Sequence, residues 1–382
     1  MKLVIALCLV ACTPSSSAPG WVATWATSPQ PADPDEPIVI GGRTLRQVVR
    51  VSAGGARVRL RLSNAYGTAP LALRSVHVAL HATGAAIRPD TDRVVHFARE
   101  PTVVIPPSGV AISDPVALSV PALGELAITL SASGAALATA EHAFAGATAF
   151  LAEGDTSQAT DLVSPRTLTS WHVVVGVDVE AAPAPRAIVA FGDSVTDGMG
   201  STRDANRRWP DRLAERAGRA VVSAGIAGNQ LLDELVGDPG LARFDRDVLA
   251  QPGVGFVIVS IGVNDLGAFD GPGATADQLI AGYRAVIAKA HAHGIRAIGA
   301  TLLPYAGTKM YTEAGDRERA SVNAWIRTSG AFDGVIDFDA VMRDPAQPSH
   351  LLPAFDSGDH VHPDDAGYRA MADAIDLSLF AP

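Results

Sequence analysis

The sequence predicts a three-layer α/β/α domain with a parallel five-stranded sheet, preceded by an all-β sandwich or jelly-roll domain. Two hydrophobic patterns divide the 382 residues in this way. From Trp21 to about Glu180, short alternating runs are separated by Gly, Pro and Asn, a pattern typical of antiparallel strands. Beyond residue 186, apolar runs alternate with amphipathic stretches, as right-handed βαβ units do. The second half therefore predicts a flavodoxin-like sandwich.

The chain is too long for one ordinary hydrophobic core, so we expect two domains. The predicted segments are a targeting signal and tether over 1–19, a β-sandwich domain over 20–180 and an α/β domain over 186–382. A Pro- and Ala-rich linker at 181–185 separates the two domains.

In the first domain, 47–52 and 56–62 alternate on either side of Gly54 and Gly55. This pattern predicts a β-hairpin with one apolar face and one arginine face. In the second domain, five strands are predicted at 187–191, 219–223, 255–261, 295–300 and 334–338. Helices are predicted at Pro210, from 275 or 276 to 293, over 316–328 and after Pro363.

The composition is that of a folded protein, with 48% hydrophobic and 18% charged residues. A formal charge of -10 argues against nucleic acid, whose phosphates need a basic surface. It also disfavours polyanionic substrates, so neutral esters or glycans are the better fit. The sequence does not indicate an oligomeric state.

The first residues have the pattern of an export signal. Lys2 precedes a short apolar run, and residues 9–12 form a lipobox in which Cys12 would carry the lipid, followed by a polar tether. We therefore expect an exported, lipid-anchored bacterial cell-surface protein, with an ordinary secretory signal and a soluble secreted protein as the alternative. Cys8 and Cys12 are the only cysteines, so the two domains contain no disulfide and no thiolate metal site.

A polar segment, Gly-Asp-Ser-Val-Thr-Asp-Gly over 192–198, directly follows the predicted strand 187–191. A serine just past the carboxyl end of a parallel strand lies where open α/β sheets build active sites. Ser194 is therefore a candidate nucleophile. The alternative is an ordinary strand-to-helix turn, since Gly, Asp and Ser are common turn residues.

A serine nucleophile needs a base and a group that orients the base. Asp359 and His362 are three residues apart, so a helical turn or tight loop would place them on one side. The competing interpretation is that they cap a helix beginning near Pro363. His360 is expected to point elsewhere and to have only a structural role.

Two further strand ends carry candidate donors for an oxyanion. Asn264 follows the predicted strand 255–261, and its side-chain amide can donate a hydrogen bond. Residues 223–229 end another strand with Gly225 and Gly228, and glycines let backbone N–H groups approach a ligand closely.

In order and context, these four segments resemble the SGNH hydrolases, also called the GDSL esterase/lipase family. The resemblance implies that Ser194 is the nucleophile and that Asp359 and His362 complete a triad. It also implies an oxyanion hole formed by the Ser194 N–H, the Gly228 N–H and the Asn264 amide. No metal or cofactor is implied.

Two positions depart from the usual pattern of that family. Val195 stands where the family has Leu or Ile, and Ser223 stands where it often has Asn. Neither change removes a predicted catalytic group.

The resemblance extends to the XynE-like branch, whose members carry an N-terminal β-domain. Segments of both predicted domains carry it, namely Trp21, Trp25, 57–67, 113–115, 243–247, 300–304 and 323–327. It implies a serine esterase acting on small acyl esters, mainly acetyl groups on carbohydrate.

Two other functions stay open at the level of sequence. One is a lipase, lysophospholipase or general short-chain carboxylesterase. The other, from a different class, is a glycan-binding surface protein with an inactive hydrolase domain. The intact set of predicted site residues argues against the second. The β-domain, with its arginine-rich strands and few aromatics, is expected to brace the fold.

Overall fold

The computed structural model describes residues 20–182, 186–269, 271 and 273–381. The predicted fold class is confirmed: an all-β region precedes a domain with a parallel five-stranded sheet. The predicted signal and tether, with Cys12, and residues 183–185 of the linker lie outside the described residues. Among the helices described, none has both the length and the apolar character needed to cross a bilayer.

The N-terminal region is built from short strands and one 3₁₀ turn at Pro89–Thr91. Its strands are β1 (Gly20–Ala26), β2 (Gln30–Pro31), β3 (Arg43–Arg50), β4 (Val58–Ser63), β5 (Leu71–Thr83), β6 (Ala86–Ile87), β7 (Arg93–Val94), β8 (Val103–Ile105), β9 (Val110–Ile112), β10 (Glu125–Ala132), β11 (Ala140–His142), β12 (Ala149–Glu153), β13 (Arg166–Leu168), β14 (Trp171–His172) and β15 (Val174–Ala181).

These strands form two main sheets that face each other across a hydrophobic core. One sheet has the order β1-β15-β4-β9, and the other follows β13-β12-β3-β10-β5-β6, with β7 and β8 also paired to β5. Leu60 and Val177 of the first sheet and Leu45 and Ile128 of the second belong to one buried cluster. This is the packing of a β-sandwich. A third, three-stranded sheet, β14-β11-β2, lies beside it.

The predicted hairpin around Gly54 and Gly55 is wrong, because β3 and β4 belong to different sheets. β3 pairs with β10 and β12, whereas β4 pairs with β15 and β9. On the predicted arginine face, Arg57 is exposed, Arg50 and Arg59 are partly buried, and Arg61 is buried. The neighbouring Arg46 of β3 is also buried. Arg46 has no exposed surface and donates to the carbonyl oxygens of Ala85 at 2.6 Å and Ala159 at 2.7 Å. Alternation of residue types does not reveal that carbonyl groups satisfy a buried arginine.

The C-terminal region alternates strands and helices. Its elements are β16 (Ala187–Gly192), α1 (Ser194–Asp197), α2 (Trp209–Ala217), β17 (Val221–Gly225), α3 (Gly240–Phe244), a π-helical turn (Asp245–Leu249), β18 (Val254–Ser260), α4 (Val263–Leu266), α5 (Ala276–Ala292), β19 (Arg296–Ala300), α6 (Glu313–Thr328), β20 (Gly334–Ile336), α7 (Phe338–Met342), α8 (Asp365–Asp373) and a 3₁₀ turn (Leu377–Phe380).

The parallel strands lie in the order β17-β16-β18-β19-β20, which is the flavodoxin-like order. Alternate residues of β16 pack on opposite faces of the sheet. Ile188 and Ala190 join a cluster with α2 and α8, while Val189 and Phe191 join one with α5 and α6. The chain reverses its direction of winding between β16 and β18. Open sheets of this order bind ligands at the carboxyl ends of such strands.

The two regions share a packed interface. Ala23 and Ala26 of β1 belong to the hydrophobic cluster on one face of the parallel sheet. Polar contacts between the two regions lie beside this interface. Arg61 donates to Gln251 Oε1 at 2.6 Å, and the Tyr66 hydroxyl donates to a carboxylate oxygen of Asp238 at 2.7 Å. The β-domain is therefore braced directly against the strands that carry the candidate site.

We expect Arg46→Met to lower the free energy of unfolding by about 3 kcal/mol, because two buried carbonyl oxygens lose their charged donor. Chemical denaturation measures this. Arg74→Met is the matched control, since Arg74 lies exposed on β5. Equal stability of the two variants would contradict a structural role for the buried guanidinium.

Candidate active site

Ser194 is the first residue of α1, a single helical turn that directly follows β16. Asp193 caps this turn, because its side chain accepts a hydrogen bond from the Val195 N–H at 3.1 Å. Gly192 ends the strand where Thr196 crosses closely over it, and a β-carbon on Gly192 would overlap the Thr196 side chain. The Gly-Asp-Ser order thus lets the chain turn sharply and hold the serine at the end of β16.

The structure brings Ser194, His362 and Asp359 together. His362 Nδ1 lies 2.6 Å from Asp359 Oδ2, and His362 Nε2 lies 2.7 Å from Ser194 Oγ. A carboxylate only accepts hydrogen bonds, so the proton of a neutral imidazole is on Nδ1 and Nε2 accepts from the serine hydroxyl. Partial burial opposes the charge of Asp359, but hydrogen bonds from His362 and Val361 outweigh burial and lower its pKa. This is the geometry that a serine–histidine–aspartate triad requires.

The alternative interpretation of Asp359 and His362 as helix caps is wrong. The cap of α8 is Asp364, whose side chain accepts the Gly367 N–H at 2.8 Å. His360 pairs with a different carboxylate, and its Nδ1 lies 2.8 Å from Asp356 Oδ2. Asp359 and His362 are therefore free of any role in starting the helix.

The predicted oxyanion donors lie at the ends of three neighbouring strands, β16, β17 and β18. The Asn264 amide donates to the Asn229 carbonyl at 3.0 Å, which places Asn264 beside the residue after Gly228. Gly228 has a φ of 79°, in the left-handed region that favours glycine. Within the described residues, the N–H groups of Ser194 and Gly228 and the second amide hydrogen of Asn264 have no acceptor. All three donors are thus available to a ligand.

Two residues that hold this arrangement, Asn229 and Arg243, were not assigned a role from the sequence. Asn229 donates to the carbonyl oxygens of Val236 and Asp238 at 2.7 and 2.8 Å and so shapes the loop after β17. Arg243, 1% exposed, donates to the Gly192 carbonyl at 2.7 Å and to Asn229 Oδ1 at 2.9 Å. Arg243 lies in a segment that carried the family resemblance, and that was the only sequence signal pointing to it.

Two buried carboxyl groups lie behind the strand ends. Burial raises the pKa of Asp193 to about 7, although the N–H groups of Val195 and Gly262 oppose this shift. Burial likewise raises the pKa of Asp265 to about 6, although its carboxylate accepts the Leu231 and Leu232 N–H groups at 2.9 Å. The two carboxylates also repel each other. They anchor backbone and lie outside the triad.

The segment that carries the candidate site is similar to a known protein family. Residues 190–370, which contain every candidate site residue, match the family model of the GDSL-like lipase/acylhydrolases. This part of the chain belongs to that family. The GDSL domain makes the protein a carboxylic ester hydrolase.

Several solved structures are similar to this chain. A GDSL-like lipase from Bacteroides thetaiotaomicron is 21% identical with a TM-score of 0.41, covering 51% of this chain and 87% of that one. Est24, a carbohydrate acetylesterase from Sinorhizobium meliloti, is 16% identical with a TM-score of 0.40, covering 50% and 95%. A family two carbohydrate esterase from Cellvibrio japonicus is 14% identical with a TM-score of 0.38, covering 94% and 93%. The search of curated proteins found no match.

In the part of the chain that the structure describes, no group of three or more His, Cys, Asp or Glu side chains could hold a metal ion.

The buried Asp193 predicts a specific pH dependence of stability. Its pKa in the folded protein is above its ordinary value of 3.8, so the folded state binds the proton more tightly than the unfolded state. The contribution of Asp193 to stability is therefore lost as pH rises from about 4 to about 7. Between a pH of about 4 and a pH of about 8, the free energy of unfolding of wild type should therefore fall relative to that of Asp193→Asn. Chemical denaturation at both pH values measures this difference. Asp277→Asn, at an exposed position of α5, is the control and should show no such change.

Proposed function

We propose that the protein is a serine esterase that removes small acyl groups, mainly acetyl, from carbohydrate. The observation that carries the catalytic part is the hydrogen-bonded series Ser194–His362–Asp359 beside three unoccupied donors.

In the proposed mechanism, Ser194 Oγ attacks the ester carbonyl carbon while His362 Nε2 takes the hydroxyl proton. Asp359 holds the imidazole in its orientation and stabilises the imidazolium. The carbonyl oxygen becomes an oxyanion that accepts from the N–H groups of Ser194 and Gly228 and from the Asn264 amide. The tetrahedral intermediate then expels the alcohol, which receives the proton from His362, and leaves an acyl group on Ser194. Water deprotonated by His362 releases the carboxylic acid and restores the serine.

Removal of one preorganised oxyanion donor should slow the chemical step by about 10²–10³-fold. We therefore expect Asn264→Ala to lower kcat for p-nitrophenyl acetate by that factor, and Ser194→Ala to leave only the background rate. Asn323→Ala is the matched control, because Asn323 is equally buried but binds only the backbone of Leu302.

The control should lose stability and keep kcat. Asn264→Ala with unchanged kcat and fold would remove Asn264 from the oxyanion hole. Ser194→Ala with retained turnover would rule out the proposed nucleophile.

The surroundings of the triad support a polar alcohol as the leaving group. Asp356, Ser357 and His360 form an exposed or partly exposed rim on the loop that carries His362. Long acyl chains need an extended apolar groove to exclude water, and a rim of charged and hydroxyl groups does not offer one. Sugar hydroxyls can donate to and accept from such groups.

A groove between the two domains offers space for the carbohydrate. It has a volume of about 730 Å³ and is lined by Asp33, Glu141 and Arg166 of the β-domain, with the 235–237 loop at its other side. Val236 of this loop packs against Gly228 in the segment 226–229, here called the oxyanion segment. A β-carbon on Gly228 would lie 2.9 Å from Val236 Cγ2. We propose that the sugar units beyond the acetylated residue bind here.

If the groove binds these sugar units, changing a residue that lines it should raise KM for oligosaccharide substrates but not for small esters. Arg166→Met removes an exposed donor from the groove, so we expect KM for acetylated xylo-oligosaccharides to rise several-fold while p-nitrophenyl acetate kinetics stay unchanged. Arg74→Met outside the groove should change neither. A parallel arm compares acetyl with octanoyl p-nitrophenyl esters. Faster turnover of the octanoyl ester, with no acetate release from acetylated xylan, would instead indicate a lipase or general carboxylesterase.

A further inference from the structure

A histidine of the β-domain reaches the back of the nucleophile turn. His142, on β11, is 2% exposed and stacks on Trp171 with ring centres 5.7 Å apart. Its Nδ1 lies 3.0 Å from the Ser28 carbonyl oxygen, and its Nε2 lies 2.9 Å from Asp197 Oδ1. A carbonyl and a carboxylate both only accept, so both imidazole nitrogens carry a proton. His142 is therefore an imidazolium paired with Asp197.

Asp197 also hydrogen-bonds to the oxyanion segment. It is the last residue of α1, three positions after Ser194, and is 2% exposed. While Oδ1 accepts from His142, Oδ2 accepts the Ala227 N–H at 2.9 Å. Ala227 directly precedes Gly228. One buried carboxylate thus joins the β-domain, the nucleophile turn and the oxyanion segment.

We propose that His142 is a positioning residue for ester hydrolysis, and that the β-domain acts in catalysis through it. Its imidazolium fixes the Asp197 carboxylate, and the carboxylate fixes the peptide that carries the Gly228 N–H. The proposal rests on the role of Gly228 as an oxyanion donor.

The charged groups around His142 act on its pKa in opposite directions. Burial opposes its charge, and Arg208 before α2 repels it, but Asp197 outweighs both and raises the pKa of His142. Arg243 of α3 approaches the same region through the Ser28 hydroxyl at 3.2 Å, where Asp247 balances its charge. Because the pKa is raised, the stabilising ion pair is fully present below the ordinary pKa of 6.5 and is lost as pH rises through the folded-state value.

The first test is His142→Gln. Glutamine can still donate to Asp197 but cannot carry the charge or reach both acceptors. We expect kcat for p-nitrophenyl acetate to fall about tenfold with KM unchanged, since small misplacements of catalytic groups affect the transition state most. The wild-type kcat should fall at alkaline pH, and this decline should be absent in His142→Gln. His172→Gln is the control, because His172 is equally buried in the β-domain and, among the described residues, its ring hydrogen-bonds only to Ser170.

A second variant tests the route through Asp197. Both oxygens of Asp197 accept from donors, so Asp197→Asn leaves one donor facing an amide N–H₂. We expect it to lower kcat at least as much as His142→Gln, and the double variant to be no slower than Asp197→Asn alone. Losses that multiply in the double variant would place His142 and Asp197 on separate routes.

A measurement on wild type avoids any loss of folding. The ¹⁵N resonances of the His142 ring should show two protonated nitrogens at neutral pH, and their titration should coincide with the alkaline fall in kcat. A neutral His142 at pH 7 would overturn the proposal, and so would full kcat in His142→Gln. Failure of the proposed function is a different outcome, because wild type itself would then show no Ser194-dependent turnover.

Discussion

The buried guanidinium of Arg243 is the contact on which the geometry of the active site depends. It donates to the Gly192 carbonyl at the end of β16, to the Ala224 carbonyl of β17 and to the Asn229 side chain. A guanidinium presents its N–H groups in one rigid plane, so these three pieces of backbone are held at fixed distances from each other. Arg243 thereby fixes the position of the Ser194 turn relative to the oxyanion segment. Asp247, at 3.0 Å, compensates the buried charge.

The β-domain contributes to the same framework from the other side. Ser28 receives contacts from both buried cations: its carbonyl accepts from His142 and its hydroxyl lies 3.2 Å from Arg243. Arg246 donates to the Pro29 carbonyl at 3.1 Å and to Asp238 at 2.8 Å, beside the Tyr66 hydroxyl. The segment after β1 thus packs directly against the hydrolase domain. A bracing role for the β-domain and a part in catalysis are compatible, because the bracing contacts end at residues next to the proposed donors.

The sequence predicted those parts of the fold and site that follow from local rules. Parallel strands all end at one edge, so the segments that contain Ser194, Gly228 and Asn264 could be placed together from the strand pattern. The family resemblance then singled out Gly228. The spacing of Asp359 and His362 left capping open, because Asp364 offers an equally good cap and only the structure shows which carboxylate is used. The hairpin prediction failed because an alternating pattern indicates a strand with two different faces but does not indicate which strand it pairs with. The contact of His142 could not be predicted, since nothing in the sequence pairs it with a carboxylate 55 positions away.

The hydrogen bond between His362 and Ser194 joins residues 168 positions apart. A chain leaves the ribosome amino end first, and its domains generally fold as units in that order. The β-domain, the proposed nucleophile Ser194 and the proposed oxyanion donors are therefore made before the proposed base His362. On the proposed assignment, activity requires the loop that carries His362, which follows α6 and β20 in the chain. A nascent or shortened chain could therefore have the complete parallel sheet and still lack the proposed base, so the proposed mechanism makes activity a readout of this long-range contact.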